Sequence, residues 1–209
     1  MGVGRSKIGR TMTSEIISET PVAHEHRLRL LQAMGSAAAD KGFAATTIAD
    51  IVREAGVSKR TFYEHFSSKE ACFLALYRAV SASALRTLSD ALVPERPWQT
   101  QVESALGAYF AHLSAGPRLL KTLFVEIHHL GEAGALARRE VMQQLADFML
   151  ATVNSPAGTT PPRLSTTLAV AAVGGINELI LQAIERNQAD RLDSLTPTAS
   201  ELVRLLTRA

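Results

Sequence analysis

Lys59, Arg60 and Tyr63 stand close enough in the chain to act together, and the chemistry they offer is directed at nucleic acid. On a helix they occupy one outer side, while Phe62 and Phe66 share the face that must be buried. An arginine so placed can bind guanine through two parallel hydrogen bonds, and lysine and tyrosine can reach base edges or nearby phosphates. Thr47, Ser58, Thr61, His65 and Lys69 are short or cationic groups at helix starts and flanks, suited to anchoring phosphates. The alternative is a helix pair that merely packs, its charges forming a solvated face.

The elements that position these groups are legible in TTIADIVREAGVSKRTFYEHF, residues 46–66. Ile48, Ile51, Val52 and Ala55 form one stripe of a short amphipathic helix, with Thr47 as its cap and Asp50 three residues on. Gly56 supplies the backbone freedom to end that helix, Val57 plugs the turn, and Ser58 caps a second short helix. Two short helices joined through a glycine turn, the second with a basic and aromatic outer face, read as a DNA-binding helix-turn-helix. A preceding helix from about Ala23 to Lys41, with Leu28, Leu31, Gly35 and Ala38 on its stripe, braces them. The expected bundle core is Leu28, Leu31, Phe43, Ile48, Ile51, Val57, Phe62 and Phe66.

The segment from about His26 to Tyr77 resembles the DNA-binding domain of the tetracycline-repressor (TetR/AcrR) family of bacterial transcription regulators. Thr47, Ile48, Ile51, Ala55-Gly56-Val57-Ser58, Thr61, Phe62-Tyr63, His65-Phe66 and Lys69-Glu70 carry the resemblance. Val52 departs from it, standing where the family commonly has alanine, and so does Arg60, where a small residue is common. The resemblance implies an all-α protein: a three-helix DNA-binding head, then a helical body that binds an effector and dimerises, about nine helices in all. Residues 1–22 are read as a basic arm or a solvated leader, 23–67 as the head and 68–209 as the body.

The body reads as successive apolar helical stripes. A long helix from Ser67 or Ser68 to about Leu92 leads out of the head and ends before Pro94 and Pro97. Others run through Val102 to Leu113 and from Pro117 to Ile127. Gly131 to Gly134 breaks the pattern before Val141 to Met149, and Asn154 to Pro162 is a loop. A nearly all-apolar helix spans about Leu164 to Glu185, and a short one begins at about Thr198. Trp98, Tyr109, Phe110, Phe124, His128, Phe148 and Asn177 are the candidate effector-binding residues; the resemblance implies such a pocket, whereas the residues by themselves show a core. Leu168, Ala172, Gly175, Ile176, Leu179, Leu202 and Leu206 are the candidate dimer surface, since a helix apolar nearly all round must bury two faces. The same helix could instead be the central core helix of a monomer.

Composition narrows the classes. A chain of 209 residues with 46% apolar content has ample material for a core, and its net charge of +2 makes it no polybasic protein. Residues 1–70 hold ten Lys/Arg against eight Asp/Glu, so affinity for DNA must come from local placement. The lone Cys72 excludes an internal disulfide and is expected to be an inert core residue. No stretch approaches the roughly 20 uninterrupted apolar residues of a membrane span, and no apolar segment follows the N-terminal basic residues, so a cytoplasmic location is expected. His128 and His129 diverge by about 100° on a regular helix and do not readily share one ion. No metal, cofactor or catalytic motif is expected. The partners expected are a palindromic double-stranded operator, a second copy of the chain and a small-molecule effector, with no membrane. The leading reading is an effector-released repressor. The others are a helical ligand-binding or enzymatic protein with a vestigial head, and a constitutive DNA-binding protein.

Overall fold

The computed structural model describes residues 21–154 and 163–207, and among these are nine α-helices, two short 3-10 turns and no strand. The helices are α1 (Pro21–Lys41), α2 (Ile48–Ala55), α3 (Lys59–His65), α4 (Lys69–Asp90), α5 (Trp98–Ser114), α6 (Pro117–Glu126), α7 (Gly131–Asn154), α8 (Thr166–Glu185) and α9 (Thr196–Leu206). Most of the expected arm, residues 1–20, lies outside the described residues, as does the Asn154–Pro162 loop apart from Asn154 itself. Pro21 and Val22, assigned to the arm, already belong to α1.

The head folds as its patterning dictates. Ile51, Val52 and Ala55 of α2 and Phe62 of α3 are buried against Leu30, Leu31, Met34 and Ala38 of α1. Ile48 and Val57 sit at the margin of this core, only partly buried. Leu28 is a correction: it is 47% exposed. The buried arc of α1 runs through Leu30, Met34, Ala37 and Ala38, which turns Leu28 outward at the edge of that arc. Cys72 is fully buried, and burial pushes its thiol up to about 12, consistent with an unreactive packing role.

Head and body share their packing. Leu123, Ile127, Ala137 and Val141, from α6, the turn behind it and α7, belong to the same buried cluster as Phe62, Phe66 and Phe73. The second cluster fills the body with Leu88 of α4, Leu106 and Phe110 of α5, Met149 of α7, Ile176 and Ile180 of α8, and Val203 of α9. The α4, α6 and α7 helices each contribute buried residues to both clusters and so join head to body.

Two expectations about the body change. Residues 131–134 do not break a helix; they begin the 24-residue α7. A β-carbon on Gly134 would lie 2.2 Å from the carbonyl oxygen of Ile127, so glycine is what lets α7 press against the 3-10 turn Ile127–His129. The α8 helix, moreover, is long and apolar enough to cross a membrane by length and composition. Ala169, Ala172, Val173, Ile176, Ile180, Ala183 and Ile184 instead pack into the body's core. Only 39% of its most apolar window is buried, which leaves an apolar face outward.

Candidate nucleic-acid interface and ligand cavity

The start of α2 is fixed by a reciprocal cap. Thr47 Oγ1 accepts from the Asp50 amide at 3.2 Å, and the Asp50 carboxylate accepts from the Thr47 amide at 3.0 Å. Lys41 and Arg53 also donate to that carboxylate. The Lys41 ammonium, then the Thr47 hydroxyl and amide, hold the Asp50 carboxyl well below the usual carboxylate range. At the other end Gly56 adopts φ 61°, a left-handed conformation that closes the helix. Arg29 reaches from α1 to donate to the carbonyls of Ala55 and Gly56, the latter at 2.9 Å. A β-carbon on Gly56 would meet the same guanidinium at 2.7 Å. The left-handed backbone is what requires glycine here, while the tip of the flexible arginine could shift to admit a β-carbon.

The α3 helix begins at Ser58, whose Oγ accepts from the Thr61 amide at 3.0 Å and lies 3.0 Å from Thr61 Oγ1. Phe62 is fully buried, worth about 1.5–3 kcal/mol relative to exposure, and orients the whole helix. Its opposite side faces solvent. Lys59 is exposed, the Arg60 side chain is 88% exposed, and Tyr63 is 57% exposed with its ring edge-on to Phe62 at 5.5 Å. Arg60 Nε donates to Glu64 at 3.1 Å along this face, an exposed pair of at most about 1 kcal/mol that a phosphate or guanine can displace. Thr47 and Ser58 spend their hydroxyls as caps but remain at the surface, while Thr61 and His65 are partly buried.

Lys69 departs from its expected phosphate contact. Its Nζ donates to the carbonyls of Phe43 and Thr46, both at 2.9 Å, with that of Ala44 at 3.4 Å, and lies 4.3 Å from the Phe43 ring centroid. Its three donors are directed into the connection between α1 and α2 rather than toward solvent. Arg29, Lys69 and Arg27, whose guanidinium lies 4.8 Å from the Phe66 ring centroid, hold the head together, and residue spacing alone did not single out the first or the last.

Two small cavities lie among α4, α5, α7 and α8, the second also bounded by α6. One, of about 50 Å³, is walled chiefly by Leu88, Leu106, Phe148, Met149, Thr152 and Ile180; the other, of about 40 Å³, by Tyr77, Ser81, Leu113, Phe124, Val141 and Met142. Tyr109, Leu145 and Asn177 line both. Of the expected ligand residues, Tyr109, Phe124, Phe148 and Asn177 therefore meet at these cavities. Trp98, Phe110 and His128 do not: Phe110 is wholly enclosed in the core, His128 is exposed on the 3-10 turn, and Trp98 lines a surface groove with Arg96 and Arg163. Helical periodicity places a residue on a stripe but does not say whether that stripe meets packing or space. His129 Nδ1 lies 3.3 Å from the Glu126 carboxylate, and among the described residues no group of three His, Cys, Asp or Glu side chains is placed to hold a metal.

The expected dimer surface also divides. Ala172 and Ile176 are buried in the chain's own core, and Gly175 is the point where α9 approaches, a β-carbon there lying 3.3 Å from Leu202 Cδ2. These three therefore face inward. Leu168 and Leu205 are exposed, Leu179, Leu202 and Leu206 are half-buried, and Val170 extends the same apolar exposure on α8.

Comparison with known proteins places this geometry. Residues 31–76 match the family model described as bacterial regulatory proteins, tetR family. The chain is 36% identical over 90 residues, 42% of its length, to the uncharacterized HTH-type transcriptional regulator YerO of Bacillus subtilis (strain 168). It is 32% identical over 99 residues, 46% of its length, to the HTH-type transcriptional activator FasR of Mycolicibacterium smegmatis. These matches span 31% and 45% of the two relatives. In fold, the chain is similar to the transcriptional regulator FadR of Bacillus subtilis in complex with stearoyl-CoA, with TM-score 0.67 and 16% identity over 87% of this chain and 97% of that one.

Proposed function

We propose that the chain, whose residues 31–76 match the tetR family of bacterial regulatory proteins, belongs to that family and acts as a cytoplasmic, sequence-specific DNA-binding transcriptional regulator. It works as a homodimer and represses until a small-molecule effector releases it. The observation that carries this reading is the outer face of α3, where Lys59, Arg60 and Tyr63 project from a helix anchored by the fully buried Phe62. In a major groove Arg60 reads a guanine, while Lys59, Thr47, Ser58 and Thr61 approach the backbone. Tyr63 and His65 flank the same contact.

A single head covers few base pairs, and two heads on a two-fold axis read a palindrome. The apolar face of α8 and α9, with Leu168, Leu179, Leu202, Leu205 and Leu206, supports pairing with a second copy. The cavities beside α4 support an effector, and α4 supports transmission, because it contributes to both hydrophobic clusters. The effector favours a head separation that the operator does not fit, and operator binding weakens effector binding by the same factor.

The FasR relative, named as an activator, favours a second reading in which the DNA-bound form raises transcription rather than blocking it. Footprinting with purified protein tests the shared part: a two-fold symmetric protected site supports it, and protection without symmetry defeats it. A reporter gene carrying that site then separates the two readings through lowered or raised expression, and titration with any ligand that binds the cavities tests whether operator affinity falls. Unchanged affinity would refute the coupling.

A further inference from the structure

Neither cavity wall contains a charged side chain. Their polar groups are all neutral: Tyr109 and Asn177 in both, Thr152 in one, Tyr77 and Ser81 in the other. The Thr152 hydroxyl already donates to the Phe148 carbonyl at 2.9 Å. Tyr109 and Asn177, on facing helices α5 and α8, have no hydrogen-bond partner for their side chains among the described residues, although Tyr109 is only 9% exposed. Burial, then the neighbouring Tyr77 hydroxyl, pushes the Tyr109 hydroxyl well above its ordinary value, so it stays a proton donor at any physiological pH. Both side chains keep free hydrogen-bonding capacity at the cavity walls, and a few convergent polar groups in an apolar cavity are what orient a ligand. Each cavity alone is far below the roughly 300–1,000 Å³ of a ligand pocket, and Leu145 is the apolar side chain common to both walls. A ligand that displaces Leu145 joins the two spaces beside Tyr109 and Asn177.

We propose that the effector is an uncharged molecule with an apolar body and one carbonyl group, lying across both cavities with its oxygen accepting hydrogen bonds from the Tyr109 hydroxyl and the Asn177 amide. This deepens, and rests on, the reading of the helical body as an effector-binding unit. A carboxylate in the same place would be enclosed without a counter-charge. Arg138 of α7 is close enough to Tyr77 to favour its ionised form, but its side chain lines neither cavity.

Calorimetric and melting titrations of the full chain at pH 7.5 with matched probes test this. One set is 2-decanone, decanoate and decane; the other is acetophenone, benzoate and ethylbenzene. In at least one set the ketone is expected to bind at least about tenfold tighter than its carboxylate. Tyr109→Phe and Asn177→Leu should each weaken the ketone by up to about tenfold and leave the hydrocarbon unchanged. The melting temperature of each unliganded variant reports its folding, and either variant suffices if the other fails to fold. A carboxylate that binds as tightly as its ketone, and loses that affinity in Arg138→Gln, overturns the neutral-carbonyl assignment while leaving an effector site standing. Equal losses for ketone and hydrocarbon overturn the hydrogen-bonding roles. Binding of none of the six overturns the effector site itself.

Discussion

The Lys69 ammonium lies 2.9 Å from the carbonyl oxygen of Phe43 and 4.3 Å from the centroid of the same residue's ring. One side chain thus ties the first turn of α4 to the connection between α1 and α2. The cation satisfies backbone carbonyls that have left the helical ladder, and the ring beneath it is packed 4.7 Å from Phe73.

Lys69→Ala should therefore act on stability. Loss of charge-assisted hydrogen bonds of this kind costs about 1.5–3 kcal/mol, to be read by denaturant unfolding. The salt dependence of DNA binding should keep its slope. A slope reduced by about one unit, with stability intact, would return Lys69 to a phosphate contact.

Arg60 is the contrasting case, since its side chain is 88% exposed and it pairs with Glu64 on the same outer face. Arg60→Ala should leave the fold unchanged and lose about 1–3 kcal/mol of discrimination at one operator position. Binding to a panel of single-base operator variants reads this directly. An equal loss on every sequence would mean that the arginine contacts phosphate.

How much of this was visible in the chain depends on the range of the interaction. Thr47, Gly56 and Ser58 act on backbone within three residues of themselves, and the caps and turn follow from local chemistry. Arg29 to Gly56 and Lys69 to Phe43 join residues 26 or 27 apart, and no local pattern encodes such a meeting. The same limit explains Leu28, Ala172 and Ile176. The apolar stripe was correct in kind, but which flank faces the core is decided by neighbouring helices. In the body, Tyr109 and Phe110 are adjacent aromatics with opposite outcomes, one lining space and one filling it. Side-chain type does not distinguish them.

Asp50 gives the head an acid sensitivity of definite sign. Its folded-state value is depressed, first by Lys41 and then by Thr47, so the stabilisation is fully present above the unfolded value of about 3.9 and is lost as pH falls below it. Asp50→Asn should be less stable than the parent at pH 7 and approach it toward pH 2. Chemical denaturation across that range is the measurement, and a constant difference between the two proteins would contradict the linkage.

The outward face of α8 and α9 makes a separate prediction. Leu168 and Leu205 are 39% and 54% exposed, and replacing both with glutamate adds charge to a surface that must become dry on pairing. Sedimentation should show the double variant shifted toward monomer, with its helix content retained and its operator affinity reduced. A variant as dimeric as its parent would place the interface elsewhere.

Selection of bound duplexes from a random pool, repeated at two salt concentrations, tests the central claim that paired copies of this chain set α3 against base edges. The account predicts one enriched inverted repeat, with half-sites about 10–10.5 base pairs apart or a multiple of that, recovered at both salts. A pool that gains no sequence in common, and whose binding vanishes at the higher salt, would contradict it.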